Sequence, residues 1–590
     1  MTIANGVTNA TKHDGGSPSA VRLLFSRSAG PVLVIAGLGL FGGFTEAAVL
    51  LIIVRSALAI TDQSKQSLVE LPVLGSLSVA TAVLVGATVL LLRLGLQLGA
   101  AWISASAFAR ARLQWLGEVV EHSLLCQWED VADQPEGTLS ELASAVVRQA
   151  ATAILYLALA AQQAGSLAIL LAATFLVNAP AALITLMSVL VLAVAIRPLG
   201  QLIRRQAARS IKEEQHLATG VAEVTRSLLE IRAFGVEPAV QGRLMASAVD
   251  TARSWHRVNF SSQTANAVYQ AAALALILGG IAVLGRGSPG QLAGLGTVVL
   301  ILIRAFAYGQ QLQAQLAALQ GASPAVLLLD DALRSLPATT ETPATHAVPR
   351  PFSRLQLRGI GYWYHRDQTV LKGFDMVVGA GDVIGLRGPS GTGKTTLLHL
   401  LLGLRMPREG TFNVDGVDIS TINRRAWSTA VGFVPQEPML IEGSIAENIR
   451  FFRSGLSDGQ VQGAALRAGL GPDLAGWPEG LARLVGQRRH GVSGGQRQRI
   501  TIARALAGDP VILLMDEPTS SLDEEAERVI LETLQALKGQ LTVVVAAHRV
   551  STLALCDRIV DLDRSGQAPV TEAAAETERT TTPAKPPTAR

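Results

Sequence analysis

Charged residues are scarce in this 590-residue sequence. Asp, Glu, Lys and Arg make up 16% of it and apolar residues 49%, whereas soluble domains carry roughly 25% charged residues. This composition argues against a wholly soluble protein and predicts a membrane domain with a soluble part attached. The formal net charge of +4 is small for the length and gives no reason to propose a nucleic-acid partner.

Cysteine is nearly absent as well. The two cysteines, Cys126 and Cys556, fall in segments that we assign to the cytosol, so a disulfide framework is not expected. No cysteine or histidine spacing of the zinc type occurs. Residues 1–20 are polar and the first apolar run is too long for the central region of a signal peptide, so no signal peptide is expected.

Six apolar runs are long enough to cross a bilayer as helices, which takes about 20 residues each. Between them, the connections 93–151 and 198–264 are long and keep charged and apolar positions at helical spacing. Each long connection therefore predicts two helices that extend beyond the bilayer and join at a tip, near residues 128–130 and 235–238. The predicted spans are 31–54, 73–92, 152–175, 180–197, 265–285 and 292–315.

Three charged residues lie in or beside these runs, and a charge at the bilayer centre costs roughly 2.5–3.5 kcal/mol. Arg93 ends its run, so we expect its side chain to extend to the inner membrane interface. Glu46 and Arg304 lie well inside their runs. We expect them to face a common polar cavity and to pair, with local packing of each within its own helix as the alternative. Three glutamines follow: Gln310, Gln311 and Gln313.

The composition changes at a linker rich in proline and threonine, residues 338–352. The helical membrane domain precedes it at residues 19–337. Residues 353–565 have the pattern of a soluble α/β domain. The two ends, residues 1–18 and 566–590, are rich in small polar residues or proline and are predicted to be disordered.

A glycine-rich loop of the form GxxxxGK[ST] lies between an apolar strand pattern and a helical pattern, which is the context that this motif requires. Its glycines let backbone N–H groups turn inward around phosphate oxygens, and the helix N-terminus adds a partial positive charge. Lys394 would reach the β- and γ-phosphates, and Thr395 would take a Mg²⁺ position. A plain glycine turn is the alternative. The loop comprises Gly388, Pro389, Ser390, Gly391, Thr392, Gly393, Lys394, Thr395 and Thr396.

Two further patterns would serve the same phosphates. Asp516 and Glu517 end an apolar strand, where Asp516 would hold Mg²⁺ and Glu517 would polarise the attacking water as a general base. A helix-capping acidic pair is the alternative. The glycine-rich turn 493–496 precedes a basic helix and could offer N–H groups to a phosphate, although this signal is weak by itself.

In this order, the motifs resemble those of the ATP-binding cassette (ABC) transporter family. Gly388 to Thr396 match its Walker A motif, and Asp516 with Glu517 match Walker B and the catalytic glutamate. The other matches are Tyr364 for the aromatic that stacks on adenine, Gln436 for the Q-loop, Ser493, Gly494, Gly495 and Gln496 for the signature, Ser521–Asp523 for the D-loop and His548 for the switch histidine. Gln487 and Arg489 depart from the family pattern, in a segment that usually contacts the intracellular loops, so coupling is expected to be altered.

The resemblance implies a half-size exporter: six transmembrane helices with long intracellular extensions, fused to an α/β P-loop NTPase domain. It implies ATP and Mg²⁺ as cofactors, with Glu517 and His548 catalytic and Thr395, Gln436 and Asp516 at the metal. Each ATP would lie between the Walker A motif of one domain and the signature of another. The chain is therefore expected to pair with itself or with a second half-transporter, in the cell (inner) membrane, with the nucleotide-binding domain in the cytosol.

An ATP-driven exporter of an amphiphilic substrate, such as a lipid, a peptide or a drug-like molecule, is the function that we favour on this basis. The aromatic content of 4% argues mildly against a drug pocket lined by aromatic side chains. A siderophore-type importer of the same architecture, an ATP-gated channel and a regulatory half of a heterodimer stay as alternatives. The intact hydrolytic residues argue against a regulatory subunit with inactive sites.

Overall fold

In the computed structural model the chain divides into two compact units, Met1–Ala338 and Thr339–Arg590. The first unit is helical and the second is α/β. The residues described are 16–61, 68–71, 75–132, 137–177, 179–284, 292–336, 346–364, 369–486, 491–520, 522–562 and 570–572.

The described residues of the first unit form six long helices, and each predicted span lies largely within one of them. They are α1 (Gly16–Thr61), α2 (Val79–Leu125), α5 (Val147–Val177), α6 (Ala179–Arg226), α8 (Glu237–Leu284) and α9 (Leu292–Ser335). The second span begins later than predicted because Gly75–Ser78 (β2) pairs with Leu68–Leu71 (β1). Ser78 then caps α2 by accepting a hydrogen bond from the N–H of Thr81.

Helix α1 begins inside the stretch predicted to be disordered. Its first residue is Gly16, so the predicted disordered segment 1–18 ends too late. The composition misleads here because Pro18 falls in the first helical turn, where the missing N–H of proline would be unbonded in any case. Further along, α1 departs from helical geometry at Ser28 (φ −140°, ψ 24°), three residues before Pro31, which also lacks the N–H.

Helix α1 packs very closely against α5. A Cβ atom on Gly39 would lie 2.3 Å from the carbonyl oxygen of Gln162, and one on Gly43 would lie 2.7 Å from that of Ser166. Glycines four residues apart on one helix face permit such backbone approach between membrane helices. The contact fixes α5 beside the next turn of α1, which carries Glu46.

The two long connections turn at the predicted tips. After α2, the chain bends at Cys126 and continues in a short helix, α3 (Trp128–Ala132). The other tip follows α7 (Leu228–Phe234), where Gly235 adopts the left-handed conformation (φ 63°) that glycine tolerates best. The first of these connections returns through a short helix α4 (Thr138–Glu141) and a π-helical turn over Leu142–Val146 to α5, the third of the long helices.

Four helical segments of the described residues are long and apolar enough to cross a membrane. They are Ala20–Ser56, Val79–Leu125, Thr138–Ala173 and Ile303–Ser335. The predicted spans 180–197 and 265–285 lie in α6 and α8 but include many side chains outside the described set, so as membrane spans they stay predictions.

The second unit is built on a six-stranded sheet of β5 (Val383–Arg387), β8 (Val431–Val434), β11 (Ile512–Asp516), β12 (Thr542–Ala546), β13 (Arg558–Asp561) and β14 (Val570–Glu572). The strand order is β14-β13-β5-β12-β11-β8, and every pairing except β13 with β14 is parallel. The short apolar runs of β5, β8, β11 and β12 are typical of strands buried on both faces. Because parallel strands point the same way, the carboxyl ends of β5, β11 and β12 meet at one edge of the sheet.

Strand β14 corrects the prediction for the C-terminal tail. Residues 570–572 pair antiparallel with β13, although the sequence predicts disorder over 566–590. Composition alone misses this strand because an edge strand is held by backbone hydrogen bonds and needs no long apolar run.

A second, antiparallel sheet has the order β4-β3-β6-β7, with β3 (Arg354–Trp363), β4 (Thr369–Gly379), β6 (Glu409–Val414) and β7 (Val417–Asp418). Its buried side chains share one core with α10 (Lys394–Leu401), and another core surrounds α15 (Gly494–Leu506). The remaining elements are α11 (Arg424–Ala430), β9 (Gly443–Ser444), α12 (Ile445–Arg450), α13 (Asp458–Arg467), α14 (Gly471–Gly476), β10 (Leu484–Val485), α16 (Glu524–Leu537) and α17 (Val550–Leu553).

Candidate nucleotide site and membrane charge cluster

The predicted phosphate loop lies between β5 and α10, at the carboxyl edge of the sheet. Gly391 and Gly393 adopt φ values of 84° and 97°, which glycine reaches without strain. Gly388 is required for a different reason, because a Cβ atom there would lie 2.4 Å from the carbonyl oxygen of Leu562. These glycines let the loop turn tightly into a helix N-terminus, the geometry that binds phosphate.

Lys394 lies at the centre of the candidate site. Only 6% of its side chain is exposed, and its Nζ donates hydrogen bonds to the carbonyl oxygens of Gly388 (2.6 Å) and Pro389 (3.2 Å). Nζ also lies 4.0 Å from Glu517 Oε1. Burial lowers the pKa of Lys394, while the carboxylates of Glu517 and Asp516 act in the opposite direction.

Asp516 and Thr395 come together as the metal prediction requires. Thr395 Oγ1 donates a hydrogen bond to Asp516 Oδ2 over 3.1 Å. Burial raises the pKa of Asp516, because the ionised carboxylate is poorly solvated there. A hydroxyl and a carboxylate are the oxygen ligands that Mg²⁺ prefers, and it commonly takes its other ligands from water and nucleotide phosphates. The donor set therefore fits Mg²⁺.

Glu517 connects three parts of the site. Its Oε2 accepts a hydrogen bond from Gln436 Nε2 (3.2 Å), and its Oε1 lies 2.7 Å from His548 Nε2. His548 Nε2 is also 2.9 Å from Lys394 Nζ, so the proton on the ring decides which of these contacts is a hydrogen bond. Glu517 has a φ of 43°, in the left-handed region that residues with side chains rarely occupy, and its N–H donates to the carbonyl of Ala546.

Tyr364, the candidate adenine-stacking residue, follows β3. Its hydroxyl lies 2.8 Å from Thr396 Oγ1, so the ring is held beside the phosphate loop. The guanidinium of Arg405 lies 4.7 Å from the centre of the Tyr364 ring and donates a hydrogen bond to the hydroxyl of Tyr362. Sequence reasoning missed Arg405, which no motif marks.

The signature residues form a separate group. Ser493 caps α15 in a reciprocal arrangement: its Oγ accepts from Gln496 N (3.2 Å), and Gln496 Oε1 accepts from Ser493 N (2.8 Å). Gln496 Nε2 and Arg499 Nη2 both donate to Asp473, over 2.7 Å each. Gly494 and Gly495 form the first turn of this helix. Within the described part of the chain, no hydrogen bond or ion pair joins this group to the phosphate loop.

Two smaller sequence predictions fall wholly or partly outside the described residues. Gln487 and Arg489, in the segment expected to alter coupling, are not described, and neither is Ser521. The rest of the predicted D-loop is described: Asp523 Oδ1 accepts from the N–H of Ala526 and caps α16.

A second charge cluster lies in the membrane domain. Glu46 is 1% exposed, and Arg304 Nε lies 3.1 Å from its Oε1, so the predicted pairing is confirmed as an ion pair. Arg93 Nη2 lies 2.8 Å from Glu46 Oε2, and the hydroxyl of Tyr308 donates to the same oxygen. The prediction that Arg93 extends to the inner membrane interface is therefore wrong. Tyr308 was not predicted, although it lies four residues after Arg304 and so on the same helix face.

Comparison with known proteins matches part of the chain to a family. A profile described as "ABC transporter" matches residues 371–520. An ATM1-type heavy metal exporter of Novosphingobium aromaticivorans is 40% identical over 203 residues, which cover 34% of this chain and 33% of that protein. A mitochondrial potassium channel ATP-binding subunit of Rattus norvegicus is 31% identical over 375 residues, 60% of this chain and 51% of that protein. The matched part thus spans between about a third and half of these relatives' own length.

The fold has a close counterpart among solved structures. A bacterial Atm1-family ABC exporter with ATP bound superposes with a TM-score of 0.78 at 22% identity, covering 92% of this chain and 94% of the other. The fold therefore defines a helical membrane domain of the exporter type joined to an ABC nucleotide-binding domain. Residues 371–520 thus match the ABC transporter family, and the likeness of the remaining residues is one of fold.

Proposed function

We propose that this chain is one half of an ATP-driven exporter that moves an amphiphilic substrate, such as a lipid, a peptide or a drug-like molecule, across the cell (inner) membrane. The observation that carries the proposal is the set of contacts around Glu517. A carboxylate, a histidine, a lysine and a glutamine amide converge beside a glycine-rich loop, and these are the groups that hydrolysis of ATP needs. The nucleotide-binding domain would face the cytosol, where ATP is found.

Each residue has a distinct task in the proposed reaction. Glu517 accepts a proton from the attacking water as general base, and His548 keeps that carboxylate oriented. Lys394 and the loop N–H groups of Gly391 and Gly393 bind the phosphates. Mg²⁺, when bound, neutralises charge on the β- and γ-phosphates. Thr395, Asp516 and Gln436 would hold the ion.

A second chain completes the proposed site. Ser493 to Gln496 bond to one another and to Asp473 rather than to the phosphate loop of their own chain. The start of the helix at Ser493 would present its N–H groups to the γ-phosphate on the partner, either a second copy of this chain or another half-transporter. Closure of the two nucleotide-binding domains on ATP, followed by reopening after hydrolysis, would drive alternating access.

Two alternatives predict different outcomes. The similarity to a potassium channel ATP-binding subunit favours an ATP-gated channel or a regulatory half as the second candidate function. A siderophore-type importer shares the architecture and would reverse the direction of flux. The heavy-metal cargo of the other relative is a property of that protein. The amphiphilic substrate proposed here rests on the charged cluster set among apolar helices.

The test begins with ATP hydrolysis by the purified chain in lipid discs. We expect wild type to hydrolyse ATP and Glu517→Gln to lose about 10²–10⁴-fold in rate, because the general base is removed. Glu437→Gln is the matched control, because Glu437 is an exposed acid next to Gln436 in sequence and none of the site contacts involves it. ATP-dependent uptake of a fluorescent phospholipid into inside-out vesicles would support export. Passive ion conductance that ATP opens without hydrolysis would support the ATP-gated channel instead, and a folded chain that binds ATP without hydrolysis or conductance would point to an obligatory different partner.

A further inference from the structure

The charge cluster in the membrane domain is not neutral. Arginine stays protonated in proteins, so Arg93 and Arg304 place two positive charges against the single carboxylate of Glu46, and the fourth member, Tyr308, is a phenol. Within the described residues, neither arginine has an ion pair with any other carboxylate. A charge at membrane depth costs roughly 2.5–3.5 kcal/mol when it is uncompensated, so the cluster is short of one negative charge.

Arg304 is the arginine of this cluster that is positioned to bind an additional anion. Its Nε faces Glu46, whereas its two terminal Nη atoms form no hydrogen bond or ion pair with the described residues. The side chain of Arg304 is 45% exposed in the single chain, compared with 17% for Arg93. A guanidinium that keeps one edge on a fixed carboxylate can present its other edge to two oxygens of a second anion, which is the geometry of bidentate carboxylate and phosphate binding.

A small polar cavity adjoins this exposed edge. Its volume is about 120 Å³, and it lies between α1, α2, α5 and α9. Side-chain amides of Gln97, Gln162, Gln163 and Gln311 line it together with Arg304. About 120 Å³ corresponds to roughly four waters at ~30 Å³ each and is well below the ~300–1,000 Å³ of pockets that enclose a whole drug-sized ligand. The cavity therefore fits an ionic headgroup with amide donors around it and leaves any apolar chain outside.

We propose that this cavity binds the anionic headgroup, a carboxylate or a phosphate, of an amphiphilic molecule. Arg304 contacts the headgroup directly. Glu46 acts as a fixed competing carboxylate that holds both guanidiniums in place. That the bound molecule is also the transported one rests on the proposed transport function, whereas binding itself does not.

The experiment measures binding by thermal unfolding of the full chain, purified in the uncharged detergent dodecyl maltoside and without ATP. The probes are dodecyl phosphate and dodecanoate, uncharged dodecanol at the same mole fraction, and inorganic phosphate and acetate as headgroups without a chain. We expect the anionic probes to raise the unfolding temperature in a saturable way and dodecanol to have no such effect. A ligand that binds only the folded state stabilises it in proportion to its occupancy.

Variants identify the residues responsible. Arg304→Gln is expected to weaken the anionic probe about tenfold or more, because a hydrogen-bonded charged group is lost. Arg110→Gln, which removes an exposed arginine of α2 bonded only to its own helix, is the matched control and is expected to bind as wild type does. Glu46→Gln is expected to act in the opposite direction and tighten anion binding, because the competing carboxylate is gone. Arg304→Lys keeps the charge without the planar fork and should fall between wild type and Arg304→Gln.

The outcomes separate the ligand sources and the two proposals. A shift that Arg304→Gln reduces and that only dodecyl phosphate or dodecanoate produces supports a lipid-linked headgroup. A shift with inorganic phosphate or acetate that Arg304→Gln also reduces supports a soluble source, whereas a phosphate shift that this variant leaves unchanged reports on the phosphate loop. The proposal is overturned if dodecanol is as effective as the anionic probes, or if Arg304→Gln binds as wild type does. If Arg304→Gln does not fold, the Glu46→Gln variant decides: an anion affinity equal to or weaker than that of wild type also overturns the proposal. Absence of ATP hydrolysis beside intact anion binding would contradict only the proposed function.

Discussion

Two carboxylates in this chain are each held by two basic side chains, and the two arrangements differ in what their partners can do. In the nucleotide-binding domain, Glu517 lies near His548 and Lys394, which can both gain or lose a proton. In the membrane domain, Glu46 lies near two arginines, whose charge is permanent. The first arrangement suits proton transfer, and the second suits the binding of a charged group.

The backbone positions of Glu517 and Glu46 also differ. Glu517 lies just beyond the end of a strand in a conformation that side chains rarely adopt, whereas Glu46 lies inside a long helix next to a glycine-mediated helix contact. A residue at the end of an element can move when a ligand binds, and a residue packed between helices is held in place. Four single substitutions and one exchange of charges test this contrast, beginning with the largest expected effects.

The largest effect on turnover among these variants is expected for His548→Ala. Removing the imidazole leaves Glu517 without its 2.7 Å neighbour, so the rate of ATP hydrolysis should fall by about 10²-fold or more, on the scale of general acid–base contributions. The affinity for a fluorescent ATP analogue should change little, because phosphate binding depends on the loop and Lys394. Equal losses in binding and hydrolysis would show instead that His548 is structural.

Glu46→Ala should destabilise the membrane domain by about 3 kcal/mol, the low end of the ~3–5 kcal/mol for breaking a buried pair, since it leaves the largely buried Arg93 and the half-exposed Arg304 without their counter-ion. Thermal unfolding in detergent measures the loss. Glu118→Ala is the control, because Glu118 forms a more exposed pair with Arg27 for which about 0–1 kcal/mol is expected. Similar losses in both variants would remove the distinction between a buried cluster and a surface pair.

The presence of Arg93 in the cluster changes the result expected when the charges of Glu46 and Arg304 are exchanged. If Glu46 and Arg304 formed an isolated pair, the double variant Glu46→Arg with Arg304→Glu would restore what each single variant loses. Arg93 prevents a full rescue, because it would then face a second guanidinium. We therefore expect partial recovery of the unfolding temperature, and nearly complete recovery only when Arg93→Gln is added.

A smaller effect of opposite sign is expected for Asp516→Asn. Burial raises the pKa of Asp516 in the folded chain. The contribution of this group to the free energy of unfolding is therefore fully present below the unfolded-state pKa and is lost as the pH rises through the folded-state pKa. At pH 7.5 the nucleotide-free wild type bears the cost of burying an ionised carboxylate, and the amide variant does not. The variant should be more stable by about 0.5–2 kcal/mol, with little difference at low pH, and should bind Mg²⁺ with ATP more weakly.

The smallest effect is expected at Tyr364. Tyr364→Ala should raise the KM for ATP by roughly 3–10-fold, the scale of one aromatic stacking contact of about 0.5–1.5 kcal/mol. Tyr364→Phe keeps the ring and loses only the hydrogen bond to Thr396, so its KM should lie close to that of wild type. A larger loss in the phenylalanine variant than in the alanine variant would show that the hydroxyl matters more than the ring.

The sequence predicted most of what depends on local pattern. The six long helices, their two tips, and the strand–loop–helix around Gly388 follow from periodicity, glycine placement and motif spacing. The pairing of Glu46 with Arg304 could be predicted because each charge is isolated in an apolar run, where an unpaired charge is costly.

What depends on how distant elements meet was not predictable. Arg93 ends its apolar run, so its position along one helix indicates the membrane interface, yet packing between helices brings it to Glu46. Arg405 lies in a turn after α10 with no motif around it, and only the fold brings it to the ring of Tyr364. Strand β14 forms by pairing with the edge of β13, and the amino-acid composition of the tail does not predict this pairing.

The left-handed backbone at Glu517 has a consequence for how this protein can be improved. A side chain in that conformation costs roughly 1–2 kcal/mol, a penalty that glycine does not incur. A laboratory selection for thermal stability alone would therefore enrich Glu517→Gly, and the selected proteins would be more stable but would lack the proposed general base. Any selection for a more thermostable variant of this protein must therefore include turnover as a criterion.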